Sequence, residues 1–273
     1  MTILVTGATG LVGERLLPRL VDAGIDCRAL LRGGKKAPDG IETVEGELFD
    51  ATSLERALAG VSAVVHLAAI FRTQDQDLIW KSNLEGTRNL IDATKRCSPT
   101  ARFIMASTGN IYDLNASRPG REDDAATPQR AYPASKLAAE KELRESGLTW
   151  SVLRFAFVYG DKDGHIESLP RIAAQGQLTF QPAARMSMIH HSDVAHAVRL
   201  ALSGALDGQI VNIADDAPTS MYELFSLVGA AMGPSAEPLL NPWHLHLDNT
   251  HARALGFRPQ MRTVFQAAEE DAL

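Results

Sequence analysis

Cysteine is nearly missing from this chain: among 273 residues only Cys27 and Cys97 occur. Two thiols without CxxC or Cys/His spacing argue against a disulfide framework and a structural metal, so both read as reduced and no metal site is expected. No stretch approaches the roughly 20 uninterrupted apolar residues of a membrane span. The first residues show neither a basic region nor a small-residue cleavage site ahead of the first strand-like run, which makes the cytoplasm the expected location. Basic blocks are also missing. Nothing longer than Lys35-Lys36 occurs in a chain of net charge −6, which argues against nucleic acid, because phosphate backbones are gripped by clustered Lys and Arg. Repeats and low-complexity tracts are lacking too. The remaining composition, 45% hydrophobic and 22% charged, fits a soluble globular protein with one large core, or one core and a smaller lobe. The expected ligand is a small molecule.

Short β-branched runs alternate with helical patterns. Ile3 to Val5, Cys27 to Leu31, Ala63 to Leu67, Arg102 to Ala106, Ser151 to Arg154 and Ile210 to Ile213 read as strands. Leu11 to Ala23, Ser53 to Ala59, Leu78 to Lys95 and Tyr132 to Ser146 repeat apolar residues every three or four positions, as amphipathic helices do. The alternation predicts an α/β fold, a doubly wound parallel sheet with helices on both faces. The rhythm weakens after residue 160. Residues 1–160 with 190–214 are expected to form the main domain, and 161–189 with 215–273 a small lobe over the sheet's carboxyl edge, where ligands of open α/β sheets bind.

The run "ILVTGATGLVG" at 3–13 places three glycines directly after the first strand and at the start of a helix. In that setting Gly7 permits a tight turn, Gly10 lets backbone approach a pyrophosphate and Gly13 lets the helix pack on the strand. The helix N-terminus then offers unpaired N–H groups and partial positive charge to the anion. Gly7, Thr9, Gly10, Leu11, Val12 and Gly13 are the candidate cradle. Pro18 inside that helix predicts a local bend. Some twenty residues on, where an acid would hold the ribose of NAD, stands "ALLRGGKK". Leu31 takes the acid's place, followed by Arg32, Lys35 and Lys36, which predicts a 2′-phosphate site and preference for NADP(H), with NAD(H) also usable.

The spacing TGxxGxxG, with "HLAA" at 66–69, "NLEGTRN" at 83–89, "STGNIY" at 107–112 and "YPASK" at 132–136, resembles in order and spacing the extended short-chain dehydrogenase/reductases, the epimerase/dehydratase family. "RFAFVYG" at 154–160, "IHHSDVA" at 189–195 and "ARALGFRP" at 252–259 extend the likeness over nearly the whole chain. The resemblance implies a Rossmann domain with a small C-terminal substrate lobe, a nicotinamide cofactor, hydride transfer and a homodimer built on the helices at 76–96 and 132–146. Leu78, Leu90 and Leu137 would then lie partly outside the monomer core. It also implies that Thr108 is the catalytic Ser/Thr, with Ser107 the neighbouring candidate. Leu48 would lie beside adenine, with Glu47 where many relatives have Asp. Leu67, Ala68 and Ala69 would leave room for ribose and phosphate, and His66 is either a packed histidine or a ligand contact. Asn83 resembles the family's helix asparagine, a cofactor-side residue whose usual role is to secure backbone or water near the active-site lysine, or else it is a plain cap. Phe155 either flanks the nicotinamide or packs in the core.

Hydride transfer at a carbon bearing oxygen needs a group that exchanges the hydroxyl proton in concert. Tyr132 suits that role if its pKa falls from about 10, and Lys136 one helical turn on places an ammonium on the same face. Lys136 would also hold a ribose hydroxyl. Sugar-nucleotide dehydratases of this family carry Asp-Glu after the catalytic threonine, where this chain has Gly109 and Asn110, so dehydration is disfavoured. Met186 stands where epimerases commonly place a diphosphate-binding arginine, with Arg185 one residue off register. The expected substrate is therefore a small carbonyl compound or alcohol. A nucleotide-sugar epimerase is the alternative, and a non-catalytic NADP-binding sensor a more distant one. Phe71, Arg72, Arg185 and Trp243 are candidate pocket residues. Ser192-Asp193 could cap the helix that follows, and Trp80 reads as core or interface.

Overall fold

The computed structural model describes residues 1–176 and 181–273; positions 177–180 of the expected lobe segment 161–189 lie outside the described residues. Along the chain, β1 (Thr2–Thr6) leads into α1 (Leu11–Asp22), followed by β2 (Asp26–Leu31), β3 (Glu42–Glu45), α2 (Ala51–Leu58) and β4 (Ala63–His66). A helix then runs as α3 (Gln76–Trp80), one π turn (Lys81–Glu85) and α4 (Gly86–Cys97), before β5 (Arg102–Thr108), α5 (Ala131–Arg144) and β6 (Trp150–Phe155). The remainder comprises β7 (Phe157–Tyr159), α6 (His165–Ala174), β8 (Arg185–Met186), β9 (Met188–His190), α7 (His191–Leu202), β10 (Gln209–Ile213), β11 (Thr219–Ser220), α8 (Met221–Leu227), α9 (Thr250–Ala254) and α10 (Val264–Glu269).

Seven strands form one parallel sheet in the order β10-β6-β5-β4-β1-β2-β3, a Rossmann-type α/β arrangement. The chain winds outward from β1 in one direction through β2 and β3, and in the other through β4, β5, β6 and β10. The reversal between β1 and β4 opens a crevice at their carboxyl ends. Central strands are apolar throughout, since helices cover both faces: Ala63, Val64 and Val65 are all buried. Leu16, Leu17 and Leu20 of α1 pack with Val194, Val198 and Ala201 of α7 on one face. Leu54, Leu58, Leu90, Ile91, Ala139 and Leu143 cover the other.

The structure departs from the sequence reading in three places. β3, spelled ETVE, is a seventh strand at the sheet's edge; its glutamates keep that edge solvated, which hides the apolar alternation that marks a strand. Ala252 and Phe257, expected in the lobe, pack into the core of the main sheet. The helix after β9 begins at His191, and its cap is His190, whose ring accepts from the Ser192 N–H at 3.1 Å. Asp193 instead accepts from the backbone N–H groups of Gln260 and Met261 at 2.7 and 3.0 Å, fastening the C-terminal segment. The third core cluster lies beyond the sheet, where Tyr159, Ile166, Leu169 and Met188 pack with Leu224, Phe225 and Val264.

Candidate active site

The glycine turn at the end of β1 is closed by backbone. Gly7 has φ +73°, and a Cβ there would stand 2.6 Å from the Ala68 nitrogen. A Cβ on Gly13 would stand 2.3 Å from the Gly7 carbonyl oxygen, so helix and strand touch through that position. Gly10 donates its N–H to the Gly7 carbonyl at 3.0 Å and is exposed on the cleft side. It supplies no side-chain cap to α1, whose first-turn N–H groups also lack intrahelical acceptors. Such a cradle of free donors and small residues fits a pyrophosphate.

At the end of β5, Thr108 faces α5 across the crevice. Helix α5 buries Ala139 and Leu143 beneath the sheet, and this orientation turns Tyr132 and Lys136, on its first turns, toward the cleft. The side chains of Thr108 and Tyr132 both line the cleft. Burial pushes the Tyr132 hydroxyl up to about 12, and the neighbouring Thr108 side chain opposes that rise. Lys136, 1% exposed, is pushed down to about 8 by burial, opposed by the nearby charge of Glu140. The expected lowering of Tyr132 is thus corrected: desolvation by burial is the largest influence on it and raises its pKa. At neutral pH the tyrosine keeps its proton and can donate it.

Beneath this pair lies a buried network that local sequence spacing does not reveal. Glu140, four residues after Lys136 and 1% exposed, pairs with Arg154 of β6, 3% exposed. The guanidinium donates to Oε1 at 3.2 Å and Oε2 at 2.8 Å. Ser107 donates to the same Oε1 at 2.5 Å. That bond removes Ser107 as a stand-in for Thr108, correcting the expectation that either could serve. Arg154 also donates to the Tyr112 hydroxyl at 3.0 Å, which in turn donates to Asn212 on β10 at 2.6 Å.

A cleft of about 960 Å³ runs along the carboxyl edge. Its wall includes Gly7, Thr9, Gly10, Leu11, Val12 and Gly13 at the turn, and Arg32, Lys35, Glu47 and Leu48 beyond β2 and β3. Leu67, Ala68, Ala69, Thr108, Tyr132, Lys136 and Phe155 complete the expected set. Phe155 lines the cleft and also packs in the core.

Asn83 is the exception. It is fully buried in the π turn and does not line the cleft; its amide brackets Ile70, accepting from the backbone N–H at 2.8 Å and donating to the carbonyl at 2.9 Å, and donates to Ser135 Oγ at 3.1 Å. It positions the loop after β4 and the helix carrying Tyr132, and is no cofactor contact. His66 is likewise structural, bonded to Thr6 at 2.7 Å and Thr87 at 2.8 Å, and burial pushes its pKa down to about 3. Lys36, Arg185 and Trp243 lie off the cleft, whereas Phe71 and Arg72 line it. Gly109, where dehydratases carry an acid, is covered by Leu247: a Cβ there would stand 2.6 Å from the leucine side chain.

The family model described as NAD dependent epimerase/dehydratase matches residues 3–214. A 4-hydroxy-2-methyl-3-oxo-4-farnesyl-3,4-dihydroquinoline-1-oxide ketoreductase of Stigmatella aurantiaca is 27% identical over 253 residues, covering 87% of this chain and 75% of that protein. A UDP-glucose 4-epimerase of Azospirillum brasilense is 29% identical over 236 residues, covering 73% and 68%. The chain spans 25% of the length of mycobacterial relatives that it matches at 26% identity over 244 residues. Among solved structures, a short-chain dehydrogenase/reductase superfamily protein of Agrobacterium tumefaciens with bound NAD superposes with a TM-score of 0.82 at 26% identity, covering 99% of this chain and 95% of that one. With the glycine turn, the seven-stranded sheet and the Thr-Tyr-Lys cleft in one chain, and a family match over most of its length, the protein belongs to the NAD dependent epimerase/dehydratase family.

Proposed function

We propose that the protein is an NAD(P)-dependent oxidoreductase that moves a hydride between a nicotinamide cofactor and a carbonyl or hydroxyl carbon of a small substrate. The observation that carries this reading is the convergence of Thr108, Tyr132 and Lys136 on a cleft that begins at the glycine turn. The glycine turn and the start of α1 would hold the pyrophosphate, and Leu48 and Glu47 would flank the adenine. Bound there, the nicotinamide supplies the hydride donor or acceptor. Tyr132, protonated at neutral pH, gives its proton to the carbonyl oxygen as that oxygen gains charge. Thr108 steadies the same oxygen by hydrogen bonding. Lys136 holds a ribose hydroxyl and shares its charge with the tyrosine. The segments 161–189 and 215–273 supply the substrate side. A screen of aldehydes, ketones and alcohols followed at the nicotinamide absorbance tests the reading, and absence of turnover across all of them would count against it.

The same residues would serve an epimerase, a second reading favoured by the Azospirillum brasilense UDP-glucose 4-epimerase among the relatives. A closed cycle of oxidation and re-reduction leaves the absorbance unchanged, so UDP-glucose and its epimer are assayed as products. Met186 in place of the diphosphate-binding arginine weighs against it.

Arg32 and Lys35 on the cleft wall support preference for NADP(H). Glu45, opposite Leu31 in the sheet register, does not line the cleft. Calorimetry is expected to give tighter binding of NADPH than NADH. Arg32→Ala is expected to weaken NADPH selectively, by about 1.5–3 kcal/mol for a lost charged hydrogen bond. Equal affinities in the parent protein would contradict the preference.

A homodimer is the further proposal. Trp80 on α3 is 37% exposed and Leu137 on α5 is partly exposed, apolar surface open to a twofold pairing; Leu78, 42% exposed, lines the cleft. Leu90, expected in that face, is 0% exposed and belongs to the monomer core. Sedimentation at micromolar concentration is expected to show a dimer, and a monomer alone would refute it.

A further inference from the structure

The cleft carries a charge imbalance. Arg32, Lys35, Arg72, Lys81 and Lys136 line it against a single acid, Glu47, among the described residues, in a chain of net charge −6. Arg32 and Lys35 belong to the nucleotide end, Lys81 lies over the Phe49 ring at 5.3 Å, and Lys136 serves Tyr132. Arg72 has no such assignment.

It sits at the reacting end. Its guanidinium lies 5.1 Å from the centre of the Phe71 ring, which is 5.4 Å from the Tyr132 ring. Among the described residues its side chain meets no carboxylate; its hydrogen-bond partner is Nε2 of His165. His165 opens α6, on the far side of the cleft, and is held there: Nδ1 lies 3.2 Å from the Val158 carbonyl oxygen and 3.7 Å from Asp163 Oδ2. Its backbone N–H donates to Asp163 Oδ1 at 2.7 Å, and His191 anchors that aspartate at 2.9 Å. With Nδ1–H turned to Val158, Nε2 is left to accept from Arg72. An imidazole leaves most of the guanidinium's donors unused, and the surrounding wall of Phe71, Phe157, Leu245 and Leu247 offers no anion. Planar two-point pairing with a carboxylate or phosphate is what such an arginine lacks.

We propose that Arg72, steadied by His165, is the binding site for an oxyanion on the substrate, so that the carbonyl or alcohol compound accepted beside Tyr132 carries a carboxylate or phosphate. The proposal rests on the oxidoreductase reading above and narrows its substrate class. The pairing selects substrates by charge and orients the carbonyl toward the tyrosine.

Matched pairs test it on the intact protein with NADPH: 4-carboxybenzaldehyde against benzaldehyde, and glyceraldehyde 3-phosphate against glyceraldehyde. At least one charged member is expected to exceed its neutral partner in kcat/KM by about tenfold or more. The pair showing the preference distinguishes carboxylate from phosphate. Arg72→Met should bring that ratio to about one, chiefly through KM, while Arg72→Lys should retain part of it. Equal kcat/KM for charged and neutral members in the parent, or an unchanged ratio in Arg72→Met, would overturn the proposal while leaving the oxidoreductase reading intact. If none of the four aldehydes turns over, the oxidoreductase reading is left to the wider screen, and the anion site is judged by calorimetry with NADPH-loaded protein. Benzoate binding more tightly than benzyl alcohol, with the difference lost in Arg72→Met, supports the site. Equal binding overturns it.

Discussion

Tyr132→Phe is expected to lower the single-turnover rate by roughly two to four orders of magnitude, the usual contribution of a positioned acid or base, with cofactor affinity nearly unchanged. The substitution removes one hydroxyl and keeps the ring, whose packing partner Phe71 lies 5.4 Å away, so the cleft keeps its shape. In the proposed reaction the hydroxyl is the proton source, because burial holds its pKa at about 12 and keeps it protonated at neutral pH. Thr108 cannot replace it, since a neutral threonine hydroxyl is a far weaker acid, and Ser107 is committed to Glu140. The comparison is made at saturating cofactor with any substrate the screen finds. A phenylalanine variant with most of the parental rate would remove Tyr132 from the mechanism.

Glu140→Ala is expected to cost about 3–5 kcal/mol of stability, the range for removing one partner of a buried ion pair. The loss follows from what stays behind. Arg154 would be left with a buried charge and the Ser107 hydroxyl without its acceptor, while the desolvation already suffered by both remains. Glu140→Gln keeps an acceptor for each and should lose less. The Glu140→Met, Arg154→Met pair should be milder than Glu140→Ala, because the guanidinium is not left buried without its carboxylate. Urea denaturation at constant m reads these differences as shifts in the midpoint. A shift below about 1 kcal/mol for Glu140→Ala would mean that water or another group satisfies Arg154 in solution.

Features fixed by near neighbours in sequence are legible there, and features made by distant ones are not. Gly7, Gly10 and Gly13 fall within one strand-turn-helix, so their spacing alone carries the turn, and the structure gives each the crowded or open side its position requires. Tyr132 and Lys136 share a helix face for the same reason. The seventh strand is hidden because Glu42 and Glu45 break the apolar pattern at an edge where pairing on one side suffices. Ser107 meets Glu140 across 33 positions and Arg72 meets His165 across 93, distances over which periodicity carries no information. Resemblance marks Asn83 as a residue that holds backbone near Lys136, but not which backbone, since the Ile70 partner comes from the loop after β4. For Tyr132, the neighbouring Lys136 can be read from spacing, whereas the burial that raises its pKa cannot.

The most direct test of hydride transfer follows the hydride itself. NADPH deuterated at the transferable position of the nicotinamide is combined with a carbonyl compound accepted in the screen, and the product is analysed by mass spectrometry. The expected product is an alcohol one mass unit heavier, with deuterium on the former carbonyl carbon, and Tyr132→Phe should yield no such product on the same timescale. An unlabelled alcohol, or an epimer formed without uptake of deuterium from the added cofactor, would contradict the proposed reaction.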